Sequence, residues 1–299
     1  MYFLLIGIIS GFNLNENIED SKLLEELNDP KHHMTWIAGQ NERFQGLTYK
    51  DAKIISGSAH KLRPDTIPLA PAPKTNISIP LFYNFSERFP NCDFGPLDQG
   101  KCGSCWAFSV TKAFSHRYCR KYNQNLQFSP RHLAGCDRRN VGCNGGITVP
   151  AWRYIDIRGL PLESCQPYDV NATKISCQKH CDNSSEEFIT KKTNYWSVAR
   201  YPSIPEMQIA LLLNGPLTSA IKVYSDILYY KSGIYQQTKG EFLGYHAIEI
   251  IGWGVQNQLD YWIVSNSWGT KWGLNGSFLI RRGTNECGIE DYVAAGTVM

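Results

Sequence analysis

The chain has no cysteine before residue 92, no run of basic residues, and no apolar run approaching the ~20 residues that a membrane span requires. Each absence excludes something. Its 30 basic residues are interleaved with 27 acidic ones for a net charge of +3, so nothing marks a nucleic-acid-binding or membrane-surface protein. The apolar stretch from Tyr2 to Ile9 is far too short to span a bilayer and gives way to polar sequence at Asn13. It fits the hydrophobic region of a signal peptide over residues 1–11, although its leading end offers only the α-amino group as positive charge. The cysteines are dispersed between 92 and 287 rather than gathered in metal-ligand pairs, so no metal is expected.

What the chain does contain is ample core material, 42% hydrophobic and 12% aromatic over 299 residues, as in a globular protein of one or two domains. Ten cysteines point to an oxidising compartment on the secretory route. Asn76, Asn84, Asn171, Asn183 and Asn275 each open a glycosylation acceptor triplet, consistent with export. Residues 12–76 hold a charged helical candidate (Ser21 to Leu27), the run Thr35-Trp36-Ile37-Ala38-Gly39, and prolines 64, 68, 71 and 73. A cysteine-free, proline-terminated segment ahead of a cysteine-rich one reads as a propeptide joined by an exposed, cleavable linker.

Gln99-Gly100-Lys101-Cys102-Gly103-Ser104-Cys105-Trp106-Ala107-Phe108 carries the strongest chemical signal. Ala107, Val110, Phe114 and Tyr118 follow at helical spacing, so Cys105 falls in the first turn of a helix. Unpaired N–H groups and the positive end of the macrodipole stabilise a thiolate there. Read alone, Cys102 and Cys105 could also be a redox pair or two zinc ligands, but neither a thioredoxin-like pattern nor a second matching pair accompanies them. A nucleophilic thiol needs a base beside it, and a base needs an orienting partner. His246, in Gly-Tyr-His-Ala-Ile-Glu-Ile-Ile-Gly-Trp-Gly, and Asn266, in Val-Ser-Asn-Ser-Trp-Gly, supply those types.

These motifs resemble the papain family of cysteine proteases, most closely its cathepsin B branch, and the resemblance runs from Ile79-Pro80 to the C-terminus. It implies an α+β papain-like fold of two lobes with the active site in the cleft between them. Within a mature domain at 77–299, residues of about 97–190 form a mainly helical lobe and about 191–299 a β-rich one. Helix punctuation agrees: Ser129-Pro130 opens one helix, Pro150 and Gly159 bracket another, and Pro205 to Leu213 forms a third. Strands are expected over Leu217 to Tyr224, His246 to Ile251, Tyr261 to Ser265 and Ser277 to Arg281. Thr-Trp-x-Ala-Gly resembles the short propeptide of cathepsin B, the chain's own inhibitor.

By the same resemblance Cys105 is the nucleophile, His246 its acid and base, Asn266 the orienter of His246, and Gln99 an oxyanion donor together with the Cys105 N–H. Trp268 shields the His246–Asn266 bond. Gly103, Gly145 and Gly146 border the bound substrate, and Tyr245 and Tyr292 line the pocket for the second residue before the scissile bond, favouring apolar or aromatic groups. Disulfides are implied between Cys92 and Cys119, Cys102 and Cys143, Cys136 and Cys177, and Cys165 and Cys181, leaving Cys105 and Cys287 free. His180 alone lies between Cys165 and Cys181, where cathepsin B carries a histidine pair that captures substrate C-termini. The expected activity is therefore an endopeptidase acting on proteins and peptides without a cofactor, open to cystatin-like inhibitors. Its compartment is a lysosome, a vacuole-like organelle or the extracellular space. A dipeptidyl carboxypeptidase and a non-catalytic binding homologue are the alternatives.

Overall fold

A computed structural model describes residues 12–298, apart from 21, 33, 58–66 and 72–76. The expected signal peptide lies outside the described residues, as do Pro64, Pro73 and the expected boundary at residue 76. Seven α-helices occur among the described residues: α1 (Leu23–Leu27), α2 (Tyr49–Ser56), α3 (Phe85–Arg88), α4 (Cys105–Tyr122), α5 (Pro130–Cys136), α6 (Thr148–Ile157) and α7 (Ile204–Asn214). Nine strands accompany them: β1 (Trp36–Ala38), β2 (Tyr83–Asn84), β3 (Ala199–Arg200), β4 (Leu217–Tyr224), β5 (Tyr230–Tyr235), β6 (Phe242–Gln256), β7 (Leu259–Ser265), β8 (Ser277–Arg281) and β9 (Ala294–Ala295).

The helix α4 begins at Cys105, as its spacing predicts, but it is not amphipathic in place: every residue from Cys105 to Cys119 is buried. Its charged side chains reach remote partners instead. Arg117 donates to the carbonyls of Pro216, Gly296 and Gly215, Lys112 to Gly95 O and Ser265 Oγ, and His116 sits 2.7 Å from Glu249. A buried charge without such partners would cost several kcal/mol. The helix α6 starts at Thr148, two residues before Pro150, which occupies the first turn where its missing N–H leaves no bond unmade.

The strands form one sheet in the order β1-β5-β8-β7-β6-β4-β9-β3, with β2 added on β6. Only β5 and β8 run parallel; the other named pairs are antiparallel. The long β6 carries His246 in its first half, paired with Ile221 of β4, and β7 ends at Ser265, one residue before Asn266. Adjacent antiparallel strands thus deliver the two side chains to one edge of α4. Cysteine pairing follows the four expected bridges, and Cys105 and Cys287 remain free.

The segment before residue 58 is built into the molecule. β1 pairs with β5, and Trp36 is buried against Tyr235 with its Nε1 donating to Gln236 O at 2.9 Å. Phe44 meets the edge of Trp268, and Arg43 donates to Gly100 O. α2 opens with a capping box between Thr48 and Asp51 and closes on Gly57, whose φ of +37° suits glycine.

Candidate active site

Cys105 is fully buried at the start of α4, with the Ala247 N–H directed at its sulfur at 3.4 Å. His246 immediately precedes Ala247. Its Nε2 lies 2.7 Å from Asn266 Oδ1, which also accepts from the Ser267 N–H at 2.8 Å. With Nε2 committed, Nδ1, buried and without a normal hydrogen bond, is the nitrogen left for the sulfur. The Trp268 ring lies 4.7 Å from the imidazole and is itself buried, excluding water from that side.

Gln99 is buried beside them. Its Oε1 accepts from Ser267 Oγ at 2.6 Å, which fixes the amide so that Nε2 points inward. Nε2 donates to Cys102 O at 2.7 Å and to Ile55 O at 2.8 Å. Ser267 therefore ties the amide of Gln99 to the carboxamide of Asn266, a role not read from the sequence, although Ser267 directly follows Asn266.

The end of α2 fills the site. The last carbonyls of any helix lack internal partners. Here Ile55 O accepts from Gln99 Nε2, Ser56 O from the Cys105 thiol at 3.1 Å, and Gly57 O from the Gly146 N–H at 3.0 Å. A Cβ on Gly57 would stand 2.4 Å from the Gly103 backbone, and one on Gly146 would stand 2.5 Å from the Trp106 ring. Gly103 is held in turn by its N–H bond to Cys143 O beside the Cys102–Cys143 bridge. Gly145, at φ +111°, returns its carbonyl to the Val141 N–H.

Burial under α2 sets the charge state. Loss of solvent pushes the Cys105 thiol up to about 12, against the help of the Ala247, Trp106 and Cys105 N–H groups. It pushes His246 down to about 4, against Asn266 and the Ser56 carbonyl. The covered pair is therefore neutral, with the shared proton on sulfur, whereas catalysis expects the ion pair.

The two expected pocket tyrosines are not drawn to this cluster. Tyr245 follows the strand alternation and faces away from the His246 side, its ring edge-on to Phe242 at 5.4 Å. Tyr292 is half-buried in the segment leading into β9, without a hydrogen bond or ring contact to the cluster among the described residues. Of the other histidines, His132 is bonded to Gln166 and Tyr154 and His116 to Glu249, while His32 and His180 are not buried. His33 and His60 lie outside the described residues.

The family model described as "Papain family cysteine protease" matches residues 86–297. The chain is 36% identical to a cathepsin B-like protein of Giardia intestinalis, "Cathepsin B-like CP1", over 98% of this chain and 97% of that one. It is 33% identical to "Cathepsin B" of Dictyostelium discoideum, over 89% and 88% of the two chains. Among solved structures, procathepsin B S9 of Trypanosoma congolense superposes with a TM-score of 0.87 at 31% identity, covering 95% of this chain and all of that one.

Proposed function

The chain belongs to the papain family of cysteine proteases and hydrolyses peptide bonds, and from that membership we propose an endopeptidase made as a secreted zymogen, with residues 12–76 as its inhibitory propeptide. Cys105 attacks the scissile carbonyl as a thiolate paired with the His246 imidazolium. The tetrahedral oxyanion is held by Gln99 Nε2 and the Cys105 N–H; the C–N bond then breaks as His246 protonates the leaving amine. Water, deprotonated by His246, opens the acyl-enzyme and releases the carboxylic acid. Asn266 fixes the tautomer of His246 throughout.

The observation that carries this reading is the seating of Ile55, Ser56 and Gly57 on Gln99, Cys105 and Gly146. A productive substrate puts the attacked carbonyl at Gln99 and the residue before it on Gly146. In residues 55–57 the order is opposite, since the earlier residue meets Gln99 and the later meets Gly146. The segment runs backwards through the cleft and blocks it without being cut. Its arrangement supports inhibition over a non-catalytic homologue, for which nothing would need covering.

The short span bridged by Cys165 and Cys181 supports internal cleavage over removal of C-terminal dipeptides. Its one histidine, His180, is exposed, with Nδ1 3.0 Å from Cys181 O, and this span holds no histidine pair to capture a carboxylate. Tyr292 takes the position where cathepsin B has a glutamate, which favours apolar or aromatic side chains over arginine. Four disulfides and the acceptor triplets suit a lysosome-like or extracellular setting, where cystatin-like inhibitors would compete for the same cleft. The test compares wild type and Cys105→Ala after activation, on a peptide blocked at both ends and on one with a free C-terminus. Cleavage of the blocked peptide by wild type alone is expected; efficient dipeptide removal with little internal cutting would overturn the endopeptidase.

A further inference from the structure

Outside the cleft, the span from Glu163 to Val170 lies across the back of the loop that carries Gln99 and leads to Cys105. Gly100 has φ +62°, and a Cβ there would stand 1.7 Å from Val170 O, so the two strips of chain touch backbone to backbone. Above that contact, Tyr168 donates from its hydroxyl to Gln99 O at 3.0 Å and meets Ser104 Oγ at 3.0 Å. With the Tyr168 proton committed to Gln99 O, the order is Ser104 Oγ–H to Tyr168 oxygen to Gln99 carbonyl. One hydroxyl thus joins the two residues flanking the turn: the bearer of the oxyanion amide and the residue just before the nucleophile.

Tyr168 is itself held in place. Its backbone N–H donates to Glu163 at 2.7 Å, its ring is edge-on to Phe108 of α4 at 4.6 Å, and the Cys165–Cys181 bridge anchors the chain three residues away. Ser104 and Gln99 are both fully buried, so no water can replace the hydroxyl at either partner. Burial also raises the phenol to about 12, which keeps it a donor at any working pH.

We propose that Tyr168 is a positioning residue of the peptidase: its hydroxyl fixes the Gln99 backbone so that Gln99 Nε2 meets the developing oxyanion. The inference rests on Gln99 being the oxyanion donor. It requires the effect of Tyr168 to appear in the transition state and to pass through Gln99. Tolerances are tight at such a donor, because a fraction of an ångström of misplacement already weakens a preorganised contact.

The experiment is a double-mutant cycle on the activated enzyme with Tyr168→Phe, Gln99→Ala and the pair, using a fluorogenic peptide. Tyr168→Phe is expected to lower kcat about 5- to 30-fold, with KM within about twofold, equivalent to about 1–2 kcal/mol. In the Gln99→Ala background the same substitution should change kcat less than about twofold, since the group it positions is gone. Alkylation of Cys105 by iodoacetamide, which forms no oxyanion in that hole, should be unchanged in Tyr168→Phe. A full effect of Tyr168→Phe in both backgrounds, an unaltered kcat, or a parallel fall in alkylation would overturn the proposal. A fully active Gln99→Ala single variant would remove the oxyanion assignment itself, whatever Tyr168→Phe does, and this proposal with it.

Discussion

Replacing Gly57 by alanine should open the covered site. The backbone there has φ +37°, a conformation costing an L-residue about 1–2 kcal/mol. The new methyl would stand 2.4 Å from both Cα and O of Gly103. Gly103 cannot yield cheaply, because its N–H is bonded to Cys143 O and its neighbour Cys102 is bridged to Cys143. Overpacking of this kind costs about 1–3 kcal/mol. Docking of residues 55–57 should therefore weaken by about 2–5 kcal/mol, raising the open population about 30- to 5,000-fold. The assay is the alkylation rate of Cys105 in the intact full-length chain at neutral pH, which scales with that population until it reaches the rate of the activated enzyme. Gly46→Ala is the control: Gly46 also has positive φ, +68°, but a Cβ there meets nothing within 4 Å. If Gly57→Ala reacts no faster than Gly46→Ala, the carbonyl plug does not depend on close approach to Gly103 and the reasoning fails.

Other outcomes follow from the same contacts. In a full-length Cys105→Ala chain, His246 titrates near 4 when covered and near its ordinary 6.5 when open, so the covered form is favoured above pH 6.5 and loses ground as pH falls toward 4. Hydrogen exchange over residues 49–57, corrected for intrinsic rates, should then accelerate by up to about 300-fold, the equivalent of those 2.5 units; a flat profile would refute the linkage. Trp36→Ala removes a buried ring worth about 3–5 kcal/mol and should expose residues 12–57 to limited proteolysis well before the rest of the chain. Uniform resistance would show that β1 does not hold the segment. Replacing Cys92 and Cys119 together by serine, which opens a loop of 27 residues' separation, should lower the unfolding free energy in urea by about 3–4 kcal/mol.

Much of the catalytic assembly could be read in the chain because its signals are local. Ala107, Val110, Phe114 and Tyr118 announce α4, and the β-branched runs at Leu217–Tyr224 and Ser277–Arg281 coincide with β4 and β8 at both ends. β6 extends well beyond the expected His246 to Ile251, because the glycines at 244, 252 and 254 look like strand ends when only the sequence is in view. α2 went unread although Thr48 and Asp51 carry its capping box. The plug formed by the end of α2 has no local signal at all, since orphan carbonyls end every helix and only the fold decides what meets them. The same holds for Lys112, His116 and Arg117, which look like the solvent face of α4 until acceptors from remote segments surround them. Tyr245 adjoins His246 in sequence, but strand parity turns its side chain to the other side of the sheet, toward Phe242.

The pairing of β1 with β5 has a consequence for what exists after the N-terminal segment is cut away. While attached, residues 36–38 occupy the outer edge of the sheet, and Thr35 O, Thr35 Oγ1 and the Gly39 N–H complete bonds to Ile234 and Tyr229. Maturation would strip this border and leave the open N–H and C=O groups of β5 as a template for another chain, the usual route to edge-to-edge association. Lys231, exposed on that strand, and Gly233, at φ +87°, interrupt the template and make it harder to extend. Acting as the proposed propeptide, the segment would thus also guard the sheet against self-association, and its release would leave the enzyme with a border of its own to defend.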